Sequence, residues 1–277
     1  MIRLENPNFE LEAQEKKQRM EEEKIEKDWE DSRQNEVVSR LLANEDLQKI
    51  MDSLPGFKES FHDLDTIDCS DGRVLDGKKM GIAGSGLLLS PEERTKFVEN
   101  YKGKIKEVTT HRDCGAAALK FKSLKPEEIP EGVMSSDHYG TILGKQLADE
   151  LGAKHRFLDM KEMASKNHNE IGLVLDQTGR FDSTNLESFP PHFVCSGAGL
   201  GFSQEYMKSE VETLTGIALG HHGYGSERFT AENPFYIMVA AKNAEDQANW
   251  IAVAKEVADK FGDNVKIESF LSPEKQS

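Results

Sequence analysis

Residues 105–119 read IKEVTTHRDCGAAAL. The run from Ile105 to Thr110 is rich in β-branched side chains, which suit a pleated, buried strand. It stops at His111, and beyond two charged residues and Cys114 the chain passes through Gly115 to the helix formers Ala116 to Leu119. A strand that passes directly into a helix is half of a βαβ unit. This stretch therefore predicts a mainly parallel sheet with helices on its faces.

The same alternation extends in both directions. Upstream, a first strand ends near Ile67 and a second covers Lys79 to Leu88; Ser90, Pro91 and Glu93 then form a capping box that opens a helix running to about Tyr101. Downstream, a helix over Ser136 to Leu151 stops at Gly152 and leads to a strand around His155 to Leu158. EIGLVLDQTGRFD (170–182) reads as a strand and a tight turn. From about Ser183 the pattern adds a strand at His192 to Cys195, a helix from Ser203 to Leu219 and a strand at Phe235 to Ala240. A helix from Ala244 to Phe261 and a last strand at Val265 to Phe270 complete it. No internal repeat stands out.

Ahead of this, Phe9 to Arg33 is dense in Glu, Lys, Gln and Arg, with Phe9, Leu11, Met20, Ile25 and Trp29 too sparse to make a core-facing stripe. It predicts a helical arm that is either solvated or laid on a neighbouring subunit. A second helix is expected from Asn35 to Met51, closed by Pro55-Gly56. The organisation expected is a charged helical arm over 1–60, an α/β core over 61–182, and a C-terminal α/β extension over 183–277 packed on the core.

The chain has 277 residues, of which 37% are hydrophobic, enough for a sizeable core. A formal charge of −15 argues against nucleic acid as a partner, since that affinity rests on Lys and Arg neutralising phosphates. The N-terminal segment has neither a secretory nor a transit character, and no apolar run approaches spanning length. A cytoplasmic protein with no membrane association is expected. Cys69, Cys114 and Cys195 are odd in number and far apart, which is not a disulfide framework.

Cys69 and Cys114 both fall at the carboxyl ends of predicted strands, the edge of an open α/β sheet where sites gather. His111 and Cys114 are separated by two residues at a strand-to-helix turn and can face one point; Cys69 can join them from an adjacent strand. Three protein ligands with one position left open is the pattern of a catalytic zinc site, whereas structural sites hold four. Asp71 and Arg73 share the loop of Cys69, and a carboxylate held by a guanidinium stays ionised and oriented to accept a hydrogen bond from a metal-bound water.

At these residues the chain resembles the β-class carbonic anhydrases, whose hallmarks are C-x-D-x-R and H-x-x-C. Here they stand as Cys69-Ser70-Asp71-Gly72-Arg73 and His111-Arg112-Asp113-Cys114, with Gly115 following. LVLDQTGRF, from Leu173 to Phe181, is similar to a late strand-turn of that family, so the resemblance spans about Thr66 to Asp182. Where the family commonly has R-N-A-G-N, this chain has Gly81-Ile82-Ala83-Gly84-Ser85. The resemblance implies Zn²⁺ on Cys69, His111 and Cys114, with Asp71 and Arg73 as the dyad that orients the zinc-bound water. It also implies reversible hydration of CO₂ to bicarbonate and a proton by zinc-bound hydroxide, and a homodimer or higher homo-oligomer. A narrow apolar pocket lined by residues such as Ile82, Ala83 or Leu87 is expected.

Two other functions fit the same residues. A zinc hydrolase of carbonyl sulfide or carbon disulfide would use the same hydroxide. A non-catalytic zinc-stabilised module would bind a protein partner through its terminal segments. His221-His222 lacks metal-ligand spacing and reads as a turn, and Gly197 to Gly201 lacks the spacing of a dinucleotide loop and reads as close packing. Cys195 reads as a core thiol.

Overall fold

The computed structural model describes residues 7–74, 79–159, 168–220 and 222–273. Two helices of the N-terminal region come first, α1 (Pro7–Arg33) and α2 (Glu36–Leu42), followed by α3 (Leu47–Ser53). The single helix expected from Asn35 to Met51 is thus two. Asn35 caps α2 by accepting from the backbone of Val37 and Val38, and Asp46 caps α3 by accepting from Lys49. Between them Asn44 is left-handed at φ 59°. Short Asn and Asp side chains offer the backbone such local bonds in place of the helical ladder, and here they win.

The described strands form two four-stranded sheets, all parallel and flanked by helices. The first contains β1 (Thr66–Asp68), β2 (Lys79–Gly81), β3 (Glu107–His111) and β4 (Lys154–Leu158) in the order β2-β1-β3-β4. Its helices are α4 (Pro91–Tyr101), α5 (Gly115–Ser123) and α6 (Ser136–Leu151). The capping box at Ser90 and Glu93 is formed as expected, and Gly152 ends α6 in the left-handed region at φ 72°. The strand expected over Lys79–Leu88 stops at Gly81. Gly84 and Ser85 take φ of 59° and 56° in a short 3₁₀ turn, a conformation that cannot continue a strand.

The second sheet contains β5 (Gly172–Asp176), β6 (His192–Cys195), β7 (Phe235–Ala241) and β8 (Val265–Leu271) in the order β6-β5-β7-β8, with α7 (Gln204–Leu219) and α8 (Ala244–Ala258). Strand β5 lies in the 61–182 stretch of sequence, yet every one of its strand partners comes from 183–277. The order of strands in this sheet repeats that of the first, although no plain repeat marks the sequence.

The sheets meet along β2 and β6. Ser196 N–H donates to Gly81 O at 2.8 Å and Val194 N–H to Ser70 O at 3.1 Å. A Cβ on Gly81 would lie 2.1 Å from Val194 O, so only glycine permits this approach. One core runs through both sheets and takes in α2 and α3. Trp29, on α1, packs edge-on against Tyr224 and Phe229 at 5.0 and 5.2 Å, and Glu26 pairs with Arg228, so this end of the arm lies on its own chain.

Candidate metal centre

The centre is built at the carboxyl ends of β1 and β3, which are parallel neighbours with Ile67 opposite Val108. Cys69 follows β1 directly, and His111 is the last residue of β3. The chain then turns sharply: Asp113 is left-handed at φ 56°, a conformation Asp tolerates, and its N–H donates to Asp137 at 2.9 Å. That turn brings Cys114 to the first position before α5. Cys69, His111 and Cys114, all buried, present ligand atoms within 4.8 Å of one another. The three ligands expected from sequence are therefore brought together.

The donor set fits a divalent zinc ion. The Cys69 and Cys114 sulfurs are 3.9 Å apart, and two sulfurs each ~2.3 Å from a tetrahedral zinc stand about 3.8 Å apart. His111 Nδ1 is 2.9 Å from Arg112 O, so the ring donates there, and its buried Nε2 has no hydrogen-bond partner. An imidazole fixed in this way by its other nitrogen keeps a lone pair for a metal.

The electrostatics point the same way. The Cys114 hydrogen bond holds the Cys69 thiol well below its usual range, and Cys114 is driven well above it for the same reason. Two adjacent sulfurs cannot both ionise without a cation between them. Burial works against protonation of His111, but the Cys69 sulfur and Asp71 carboxylate beside it carry its pKa up to about 9, so an ion binding here would displace a proton from Nε2. Gly84 N–H donates to Cys69 Sγ at 3.3 Å. Ala83 and Leu87 close an apolar wall behind both cysteines.

Asp71 and Arg73 form the dyad in full. Arg73 Nε is 2.9 and 3.0 Å from the two carboxylate oxygens, Nη2 is 2.6 Å from Oδ2, and the Arg73 backbone N–H adds a bond of 3.0 Å. Burial pushes the Asp71 carboxyl up, but the guanidinium and neighbouring imidazoles outweigh it and bring the pKa to about 2. Asp71 Oδ2 lies 3.7 Å from His111 Nε2. The carboxylate is thus ionised, rigid and beside the unpartnered nitrogen of the imidazole.

Sequence reasoning missed three residues here. His168 Nδ1 lies 3.8 Å from Asp71 Oδ1 and 3.3 Å from Glu170 Oε2. Burial lowers the His168 pKa, but Glu170 and Asp71 raise it above its ordinary value. Asp71, His168 and Glu170 have metal-ligand spacing of their own, but Arg73 already neutralises Asp71. The third residue is Glu210 on α7, which accepts a hydrogen bond from Ser70 Oγ at 2.8 Å and another from Ala83 N–H. No local spacing ties these residues to the two motifs, because they lie 54 or more positions beyond Cys114, counting from 114 to 168.

A cavity of about 630 Å³ opens onto Arg73 and Cys114 between α1, α5, α7 and the 168–169 and 222–224 segments. Its lining differs from the narrow pocket expected. Ile82, Ala83 and Leu87 are all buried, and none lines it: Ala83 and Leu87 pack against the cysteines, and Ile82 belongs to the main core. His222 lies on the cavity rim in a turn, while His221 lies outside the described residues. Gly199 approaches Gly179 so closely that a Cβ would lie 2.1 Å from its nitrogen, in keeping with close packing. Cys195 is fully buried in β6.

Comparison with protein-family models, with curated proteins and with solved structures gives no match. No described helix is long and apolar enough to cross a membrane.

Proposed function

We propose that this chain is a zinc-dependent carbonic anhydrase resembling the β class, which hydrates CO₂ reversibly to bicarbonate and a proton. The observation that carries the reading is the convergence of Cys69, His111 and Cys114 beside a buried, bidentate Asp71–Arg73 pair. Zinc held there supplies a Lewis acid that brings the pKa of water down to ~7 and so provides hydroxide at neutral pH. Cys69 and Cys114 bring the negative charge that retains the ion, and His111, locked by Arg112 O, brings a neutral nitrogen.

Asp71 is acceptor-only near neutral pH, with Arg73 fixing the plane of its carboxylate. Held beside the ligands, it selects one orientation for a hydroxyl donor. His168 adds a second titratable group on the cavity side of Asp71, 11% exposed, through which a proton can be exchanged with solvent. The cavity that reaches Cys114 favours an open centre over the closed, four-ligand site of a purely structural zinc module.

The test is CO₂ hydration by zinc-loaded protein against a Cys114→Ser control. A rate above the control supports the reading; equal rates reject it. Carbonyl sulfide and carbon disulfide run beside CO₂ identify the preferred substrate.

A further inference from the structure

The two sheets repeat each other in more than strand order. Cys69-Ser70-Asp71-Gly72-Arg73-Val74 after β1 stands beside Asp176-Gln177-Thr178-Gly179-Arg180-Phe181 at the end of β5, with the Gly-Arg pair in common. After the second strand of each sheet, Ala83-Gly84-Ser85-Gly86-Leu87-Leu88-Leu89-Ser90 stands beside Ser196-Gly197-Ala198-Gly199-Leu200-Gly201-Phe202-Ser203. The two glycines, the leucine and the final serine coincide, and those serines cap α4 and α7. Both final helices, α6 and α8, are followed by a left-handed glycine, Gly152 or Gly262, ahead of the last strand.

The register then shows which residues replace the ligands. Ile67 faces Val108, which sets Cys69 level with Thr110 and one residue short of His111. In the second sheet Asp176 faces Ala240, one residue short of Ala241. Asp176 thus stands where Cys69 does and Ala241 where His111 does; three residues on, Ala244 takes the place of Cys114 by count, and Asn243, which precedes α8 as Cys114 precedes α5, is spent on Asp246. Two alanines offer no donor. Asp176 is spent on its own turn, accepting from Thr178 N–H, Thr178 Oγ1, Gly179 N–H and Phe181 N–H at 2.5 to 3.2 Å.

The contact between the halves is also asymmetric. By the same correspondence Phe97 on α4 matches Glu210 on α7. Phe97 reaches across to Phe202 at 5.4 Å. Glu210, buried to 2% exposure, instead reaches across to Ser70 and Ala83. Ser70 adjoins Cys69, and Ala83 precedes Gly84, whose N–H donates to Cys69 Sγ. One carboxylate therefore ties down both backbone segments that fix the position of this sulfur.

We propose that residues 172–271 are a metal-less copy of the metal-bearing half, kept as its resident partner, with Glu210 as the positioning residue through which the copy sets Cys69. This rests on the metal centre proposed above. The test uses the full chain and cobalt(II), whose thiolate charge-transfer and d–d bands report the geometry of the ion. The expected result is one cobalt per chain, lost in Cys69→Ser/Cys114→Ser. Glu210→Ala is expected to weaken cobalt binding 10- to 100-fold and to shift the bands, as loss of a group that orients a ligand does. Glu210→Gln, whose amide oxygen can accept the same two bonds, is expected to restore both.

Should Glu210→Ala not fold, Ser70→Ala removes one of the two bonds and is read by the same bands, with a smaller shift expected. Two cobalt ions per chain overturn the inference, and so do unchanged affinity and bands in a folded Glu210→Ala or Ser70→Ala chain. A wild-type chain that binds no cobalt removes the metal centre itself, and the inference with it.

Discussion

The sulfurs of Cys69 and Cys114 stand 3.9 Å apart at the ends of two neighbouring parallel strands, near the separation that a tetrahedral zinc ion imposes on two thiolates. Neither strand makes the site alone. The stability of the folded chain should therefore depend on the ion. At a free zinc concentration 100 times Kd, binding adds ~2.7 kcal/mol to the folded state. Thermal melts with zinc and with excess chelator should differ by several degrees for the native chain and by nothing for Cys114→Ser.

Asp71 and Arg73 are both buried, so removing one strands the other. Arg73→Ala leaves an unpaired carboxylate and is expected to cost about 3–5 kcal/mol of stability. Asp71→Asn keeps the shape and loses the charge. It is expected to retain the metal, measured by elemental analysis, while CO₂ hydration falls by roughly 100-fold. Because Asp71 has a folded pKa of about 2, below its ordinary 3.8, its contribution is complete above the ordinary value and is lost as pH falls from there towards 2. Native melts should lose stability over that window, and Asp71→Asn melts should lose less.

His192 sets a second pH dependence, at milder acidity. Its ring is buried between Phe181 and Phe189, Nδ1 lies 2.7 Å from Pro190 O, and Nε2 has no partner. Burial pushes its pKa down to about 4 from 6.5. A depressed histidine favours folding fully above its unfolded pKa, and the advantage is lost as pH falls from 6.5 towards 4. The expected slope is on the order of 1 kcal/mol per pH unit across that range. Denaturant titrations at several pH values should show it, and His192→Gln should remove it.

Gly81 is where the two sheets touch. A methyl group there would meet Val194 O at 2.1 Å, backbone against backbone with no flexible side chain to yield. Gly81→Ala is expected to cost at least 1–3 kcal/mol, the usual range for overpacking. If the halves act as one unit, unfolding should stay a single transition at a lower midpoint. A variant as stable as the native chain would show that the contact between β2 and β6 is not tight in solution.

Much of this protein is local in origin and could be read from the chain. The capping box at Ser90 and Glu93, the stop at Gly152 and the β-branched run into His111 each depend on a few adjacent residues, and each appears as expected. The same holds for the candidate site: C-x-D-x-R and H-x-x-C fix Cys69, Asp71, Arg73, His111 and Cys114 through short spacings, and the fold brings the three candidate ligands together beside the Asp71–Arg73 pair. The break of one expected helix at Asn44 and the early end of β2 at Gly81 were less legible, because side-chain caps and left-handed turns compete closely with regular structure there.

Tertiary structure decided the rest, for reasons of distance along the chain. Strand β5 could belong to either sheet on hydrophobicity alone; its neighbours β6 and β7 settle the matter, since parallel pairing joins strands far apart in sequence. The repetition was hidden because the residues held in common are mostly glycines and serines, which in a sequence signal only turns, while the ligand positions differ. His168, Glu170 and Glu210 carry no motif and matter only because folding sets them against Asp71 and Ser70. Short spacings fixed which side chains could hold an ion; packing between two copies of one topology determined what surrounds it.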